Sequence, residues 1–170
     1  MVRRDALRRM LLIRHFEEKL MERPDHGFQL LSSGEEAVAV GLCDALTPAD
    51  QLLCSGRSIG PALARGVDCA QLMAELLGRV TGTNEGRGGR GHLSQPSNGF
   101  FGAHAVVGGN LTIAAGAALA AQQAGKGQVV MCLFGDGACG SGALHETMNI
   151  AALWQLPLVL VCNDNGLSVS

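Results

Sequence analysis

The chain has 170 residues, of which 47% are hydrophobic and 24 are glycine, and its formal net charge is −2. That length suits one domain with a real core, and so much apolar residue joined to so much glycine fits a tightly packed α/β protein. Aromatics make up 4% with no tyrosine, and arginine is mixed with acid at helical spacing near the N-terminus, which argues against a base-stacking or basic nucleic-acid surface. No apolar run approaches the roughly 18 residues of a membrane span, and the N-terminal stretch MLLI is too short for a signal-peptide core.

Residues 3–22 read as an amphipathic helix. Ser33-Gly34-Glu35-Glu36 has the pattern of a capping box, with Ser33 as N-cap and Glu36 at the third helical position, ahead of the helix EEAVAVGLCDAL. Thr47-Pro48-Ala49-Asp50 repeats a helix-start signal, with proline at the first helical position. QLLCS reads as a short strand ending at Gly56-Arg57, and CAQLMAELLGRV as a helix stopped by Thr81-Gly82. From Gly82 to Gly109 the chain is rich in Gly, Ser, Asn and His, too long for an ordinary connection, so it is a functional loop or a linker. GNLTIAAGAALAAQQAG is a small-residue helix, QVVMCLF a strand, GALHETMNIAALWQ a helix and PLVLVCN a strand. The last three read as a right-handed βαβ unit, with both strands in a parallel sheet. Met148 and Trp154 of the intervening helix are expected in the core. The six cysteines contain no CxxC pair, so buried reduced thiols and a cytoplasmic location are the default expectation. The chain stops at Ser170, just past the second strand, which reads as a truncated or split domain.

Ligands of open parallel sheets sit at the carboxyl ends of strands. Asp136 lies between Gly135 and Gly137 at one such end. Asn165 lies 29 positions later, at the next. A carboxylate and an amide oxygen are hard donors suited to Mg or Ca, and Mg completes its shell with phosphate oxygens and water. Gly135 and Gly137 let the backbone approach a phosphate, and amides near Ala138 to Gly140 are placed to donate to it. Each half alone is also an ordinary turn sequence; the pair across one βαβ unit is the more specific signal.

GDG followed some 30 residues on by Asn165 resembles the thiamine-diphosphate motif. With GRGGRGHL (86–93), FFGAHAVVGGNLTIAAGAALA (100–120) and LFGDGACGSGALHETMNIAALWQLPLVLVCNDN (133–165), the chain resembles the alpha subunit of pyruvate, branched-chain and acetoin dehydrogenases, over roughly its N-terminal half. The resemblance implies a parallel-sheet thiamine-diphosphate-binding α/β fold with helices on both faces, spanning 1–170 as a single domain. It implies Mg2+ held by Asp136, Asn165 and the carbonyl of Leu167. The Gly137 and Ala138 amides would face the diphosphate, Arg57 would pair with it, and the backbone of Ala105 and Val107 would hold the aminopyrimidine. A guanidinium suits that task through its planar fork of donors. No catalytic side chain is assigned. The activating glutamate would come from a beta-type subunit in a heterotetramer or larger assembly, with a lipoyl-bearing protein as a candidate acyl acceptor.

The chain departs from the family pattern on the substrate side. Leu30 replaces a histidine, Gly56 a tyrosine, Ile59-Gly60 a His-Gly pair, Ala105 a glycine and Gly140 a polar residue. Decarboxylation of a 2-oxo acid is the first reading. A carboligase or ketol transferase, motivated by Leu30 and Gly56, and a non-catalytic scaffold are the alternatives. His92 and His104 are candidate acids or bases, although a loop histidine more often makes a structural hydrogen bond.

Overall fold

The computed structural model describes residues 2–167, with side chains from residue 4 onward; the C-terminal Ser170 lies outside this range. Four strands form one sheet: β1 (Gln51–Ser55), β2 (Phe100–His104), β3 (Val130–Gly135) and β4 (Leu158–Asn163). Their order is β2-β1-β3-β4 and every pairing is parallel.

The strands alternate between two buried layers, as period-2 geometry requires of a sheet covered on both faces. On one side Leu52, Cys54, Met131 and Leu133 pack with α1 (Val2–Met21), α2 (Glu36–Asp44), α3 (Ile59–Ala64) and α4 (Cys69–Leu76). On the other, Leu53, Val130, Cys132 and Phe134 pack with α5 (Gly109–Ala124) and α6 (Gly142–Leu153). Helix α1 buries Ile13, Phe16 and Leu20 along one stripe, and each such side chain contributes about 2 kcal/mol of transfer free energy. The expected α/β fold with helices on both faces is the one observed.

The crossover from β1 runs to one side, to β2, through helices on one face. The crossover from β3 runs the other way, to β4, through α6 on the opposite face. A crevice therefore opens at the carboxyl ends of β1 and β3, where ligands of such sheets bind. The register sets Gly135 against Asn163, so the turn after β3 and the loop after β4 leave the sheet side by side.

Several sequence expectations need correction. Ser33 does not cap α2: the helix begins at Glu36 with Glu35 as N-cap and no side-chain cap bond. The Ser33 hydroxyl instead donates to Glu17 (2.7 Å), a fully buried acceptor that also takes the Ser32 N–H (2.6 Å). Glu36 accepts from the Gly34 N–H at 3.0 Å, not from the Ser33 N–H that the box requires. Thr47-Pro48-Ala49-Asp50 starts no helix. The buried Asp50 folds it into a turn by accepting from the Thr47 N–H and hydroxyl, both at 2.8 Å, and from the Val129 N–H at 2.7 Å. Helix α3 was not foreseen because six residues containing Gly and Pro carry no helical signal, yet all six are buried. Strand β2 lies inside the stretch read as one long loop. Met148 and Trp154 are about half exposed rather than core, because α6 turns them away from the sheet and buries Leu144 and Thr147. Cys139 and Cys162 are exposed, whereas Cys43, Cys54 and Cys132 are buried as expected.

Candidate active site at the carboxyl ends of the sheet

The crevice holds a cleft of about 280 Å³, lined at the β1 end by Ser55 to Arg57, at the β3 end by Leu133 to Ala138, and after β4 by Asn163, Asn165 and Leu167. Leu30, Glu35, Ala105 and Val107 complete the wall. All nine residues singled out in the sequence, Arg57, Ala105, Val107, Gly135, Asp136, Gly137, Ala138, Asn165 and Leu167, meet there. His92 and His104 do not line it: they pack edge to face on each other, with centroids 5.5 Å apart. A Cβ on Gly109 would stand 2.7 Å from the His104 ring, so a larger residue there would require the ring to move.

Asp136 opens a five-residue 3-10 turn, Asp136–Gly140, directly after β3. Ser141 fixes the far end of the turn, donating to the Ala138 carbonyl through its hydroxyl (2.8 Å) and its N–H (3.0 Å). The Asp136 carboxylate accepts no hydrogen bond from any described residue. An added Cβ on Gly135 would meet only open space.

Glu35 was missed in the sequence, where it figured only as a helix-start residue. Its carboxylate accepts from the Asn163 amide at 2.7 Å and the Asn165 amide at 3.1 Å, and faces the Arg57 Nε at 3.6 Å. It thus ties the β1 loop to the β4 loop. Arg57 is also anchored by Nη1 donating to the Leu31 carbonyl at 2.7 Å. With its amide nitrogen held by Glu35, Asn165 presents its oxygen away from Glu35; that oxygen accepts from the Leu167 N–H at 3.0 Å and keeps a second lone pair. The signal that could have revealed Glu35 is a second acid beside Glu36 at the mouth of a helix, but nothing local says it reaches residues 128 and 130 positions away.

The side-chain donors are oxygen: the Asp136 carboxylate, which accepts from none of the described residues, and the Asn165 amide oxygen. Among the described residues no cluster of three or more His, Cys, Asp or Glu is arranged around a metal position. Such a site suits a hard cation that takes the rest of its shell from phosphate and water. The residues present therefore fit a Mg-bound diphosphate, with a cation on the rim in Arg57 and Cβ-free backbone at Gly135.

A family profile described as "Dehydrogenase E1 component" matches residues 2–170. The chain belongs to this family. It is 43% identical over 162 residues to the alpha subunit of the acetoin:2,6-dichlorophenolindophenol oxidoreductase of Bacillus subtilis, an alignment covering 93% of the chain and 49% of that relative. It is 40% identical over 173 residues to the pyruvate dehydrogenase E1 component subunit alpha of Rhizobium meliloti, covering 97% and 50%. Over 139 residues it is 39% identical to the mitochondrial somatic-form human subunit, covering 82% and 35%. The chain thus spans about half the length of the bacterial relatives, and the match places it among E1 alpha sequences.

Proposed function

We propose that this chain is the diphosphate-binding part of an alpha-type subunit of a thiamine-diphosphate-dependent enzyme that decarboxylates a 2-oxo acid and passes on the acyl unit. The observation that carries the proposal is Asp136: a carboxylate at a strand end, accepting from no donor among the described residues, in a cleft beside Asn165 and Arg57. Membership in the E1 family supports it independently.

In this reading Asp136, the Asn165 side-chain oxygen and the Leu167 carbonyl hold Mg2+. The Gly137 and Ala138 amides and the Arg57 guanidinium take the diphosphate, and the backbone of Ala105 and Val107 positions the aminopyrimidine. Thiamine diphosphate, when bound, supplies nucleophilic addition to the 2-oxo acid carbonyl and an electron sink for loss of carbon dioxide. The chain's own part is to bind and orient. Glu35 holds the β1 and β4 loops in register, and Leu30 and Val107 give the cleft an apolar wall that limits water. The activating glutamate comes from a beta-type subunit in a heterotetramer or larger complex, with a lipoyl-bearing protein as acceptor. The cytoplasm is the proposed location, and no described helix is long and apolar enough to cross a membrane.

The test is an assay of the full chain with its beta-type partner for decarboxylation of 2-oxo acids, coupled to a dye acceptor, with and without thiamine diphosphate and Mg. Turnover that requires both supports the proposal, and its absence across a 2-oxo acid panel in a folded complex contradicts it. Leu30 in the cleft wall, where an imidazole would offer a proton, favours one second reading, carboligation. An added aldehyde that is converted to a ligated product in place of dye reduction would establish it.

A further inference from the structure

The Sγ atoms of Cys139 and Cys162 stand 3.6 Å apart at the surface. They belong to different elements. Cys139 lies in the 3-10 turn that follows β3, and Cys162 lies in β4, paired across the sheet with Phe134. A disulfide needs an S–S distance of about 2.05 Å, so closing the gap takes about 1.5 Å of movement, within reach of side-chain rotation plus a small shift of the turn. The other cysteines are poorly placed for such chemistry: Cys43, Cys54 and Cys132 are buried and Cys69 is half-buried.

We propose that Cys139 and Cys162 form a reversible disulfide, and that the bond shifts the Asp136–Gly140 turn and weakens binding at the adjoining cleft. The second half of this rests on the proposed metal-diphosphate site; the first half does not. The bond would close a loop between two cysteines 23 positions apart that contains all of α6. It would tie together, three residues from each end, the turn that carries Asp136 and the segment that carries Asn165. The Gly137 and Ala138 amides lie in the same five-residue turn as Cys139 and move with it.

The oxidant is a small-molecule disulfide such as glutathione disulfide. The thiolate of one cysteine attacks it, forming a mixed disulfide and releasing one thiol. The second cysteine loses its proton and attacks the first cysteine's sulfur, releasing the second thiol. Two protein thiols are oxidised, one small disulfide is reduced to two thiols, and no other reactant is needed.

The experiment uses the full chain with any subunit that copurifies with it. The protein is incubated with glutathione disulfide, digested without reduction and analysed by mass spectrometry, beside the variants Cys139→Ser and Cys162→Ser. A peptide pair linked through Cys139 and Cys162, absent in both variants and reversed by dithiothreitol, is the expected result. Mixed glutathione adducts that never resolve to that pair overturn the proposal. Affinity for thiamine diphosphate with Mg is then measured on reduced and oxidised protein. Displacing one charge-assisted hydrogen bond lowers affinity about tenfold, and that loss, restored by dithiothreitol and absent in Cys139→Ser, is expected. Unchanged affinity in fully oxidised protein overturns the effect on the cleft. If the disulfide forms but reduced protein binds no cofactor, the proposed function has failed and the disulfide site stands.

Discussion

Glu75 and Asp136 are both carboxylates set against glycine-rich turns, and they differ in what surrounds their oxygens. Glu75, fully buried on α4, accepts four backbone N–H bonds from the loop beside it: Asn84 and Gly86 at 2.7 and 2.9 Å on one oxygen, Gly88 and Gly89 at 2.8 and 2.9 Å on the other. The loop comes so close that a Cβ on Gly82 would stand 2.5 Å from the Glu75 Cα. Asp136, half-buried at the end of β3, accepts nothing from the described residues. A carboxylate saturated by backbone is a staple that shapes a loop. One left open among exposed amides has its coordination capacity available to a ligand. The same fold thus uses acids structurally at Glu75 on α4, Glu17 on α1 and Asp50 in the turn before β1, and leaves Asp136 open to the cleft where β3 ends.

The largest expected effect falls on the staple. Glu75→Ala leaves four loop N–H groups without their acceptor, so stability drops by about 3 kcal/mol or more, measured by chemical denaturation, and the 82–91 loop becomes sensitive to protease. If stability falls by less than about 1 kcal/mol, Glu75 is no staple.

Next comes Arg57→Ala, which removes the cation on the rim of the cleft. Affinity for the Mg-diphosphate cofactor is expected to fall by about ten- to a hundredfold by calorimetry, with a change in stability of under about 1 kcal/mol because Arg57 is half exposed. Equal losses of stability and affinity would make Arg57 a second staple rather than a ligand group.

The pH dependence separates the staples from one another. Burial pushes the Glu75 carboxyl up, but the four N–H bonds outweigh it and hold it below the usual carboxylate range. Asp50 is lowered by the same balance of burial against N–H bonds from Val129 and Thr47. For both, the folded pKa lies below the unfolded one. Their stabilisation is therefore present above about pH 4 and lost as pH falls through the depressed folded values. Glu17 runs the other way: burial raises its carboxyl against bonds from Ser32 and Ser33. Its contribution is full at low pH and diminishes as pH rises through the raised value. Urea unfolding between pH 3 and 7 should show a stability loss on the acid side that Glu75→Gln flattens and Glu17→Gln steepens. The reverse pattern would contradict these assignments.

The smallest effect is expected at Glu35. Glu35→Gln keeps a hydrogen-bonding oxygen for Asn163 but removes the charge facing Arg57, so cofactor affinity should change only a few-fold, about 1 kcal/mol or less. A complete loss of binding would place Glu35 in the ligand shell itself.

The strand ends were legible in the sequence because they rest on local patterns. An apolar run followed by GDG, and another followed by Asn163 to Asn165, read as strands with polar tips, and the expected residues converge on one cleft. The staples were not legible. Glu17, Asp50 and Glu75 look like solvated acids on helices or turns until the fold brings backbone N–H groups to them, from as far as 79 residues away. The Ser33 cap failed for this reason, since a buried acceptor on α1 competes for its hydroxyl. Strand β2 was lost because Gly102 and the surrounding glycines hide its five residues, and α3 because it contains Gly and Pro. The Cys139 and Cys162 contact carries no sequence signal, since their spacing matches no motif and only the parallel pairing of β3 with β4 brings them together.

The central claim is that Asp136 is held open for a metal-bound diphosphate. Its most direct test is calorimetric titration of thiamine diphosphate with and without Mg2+ into the full chain, with any subunit that copurifies with it, for wild type and Asp136→Ala. Binding is expected to require Mg2+ and to fall by about a hundredfold or more in the variant, while stability stays within about 0.5 kcal/mol of wild type. Binding that is independent of Mg2+, or that is unchanged in a folded Asp136→Ala protein, would contradict that claim.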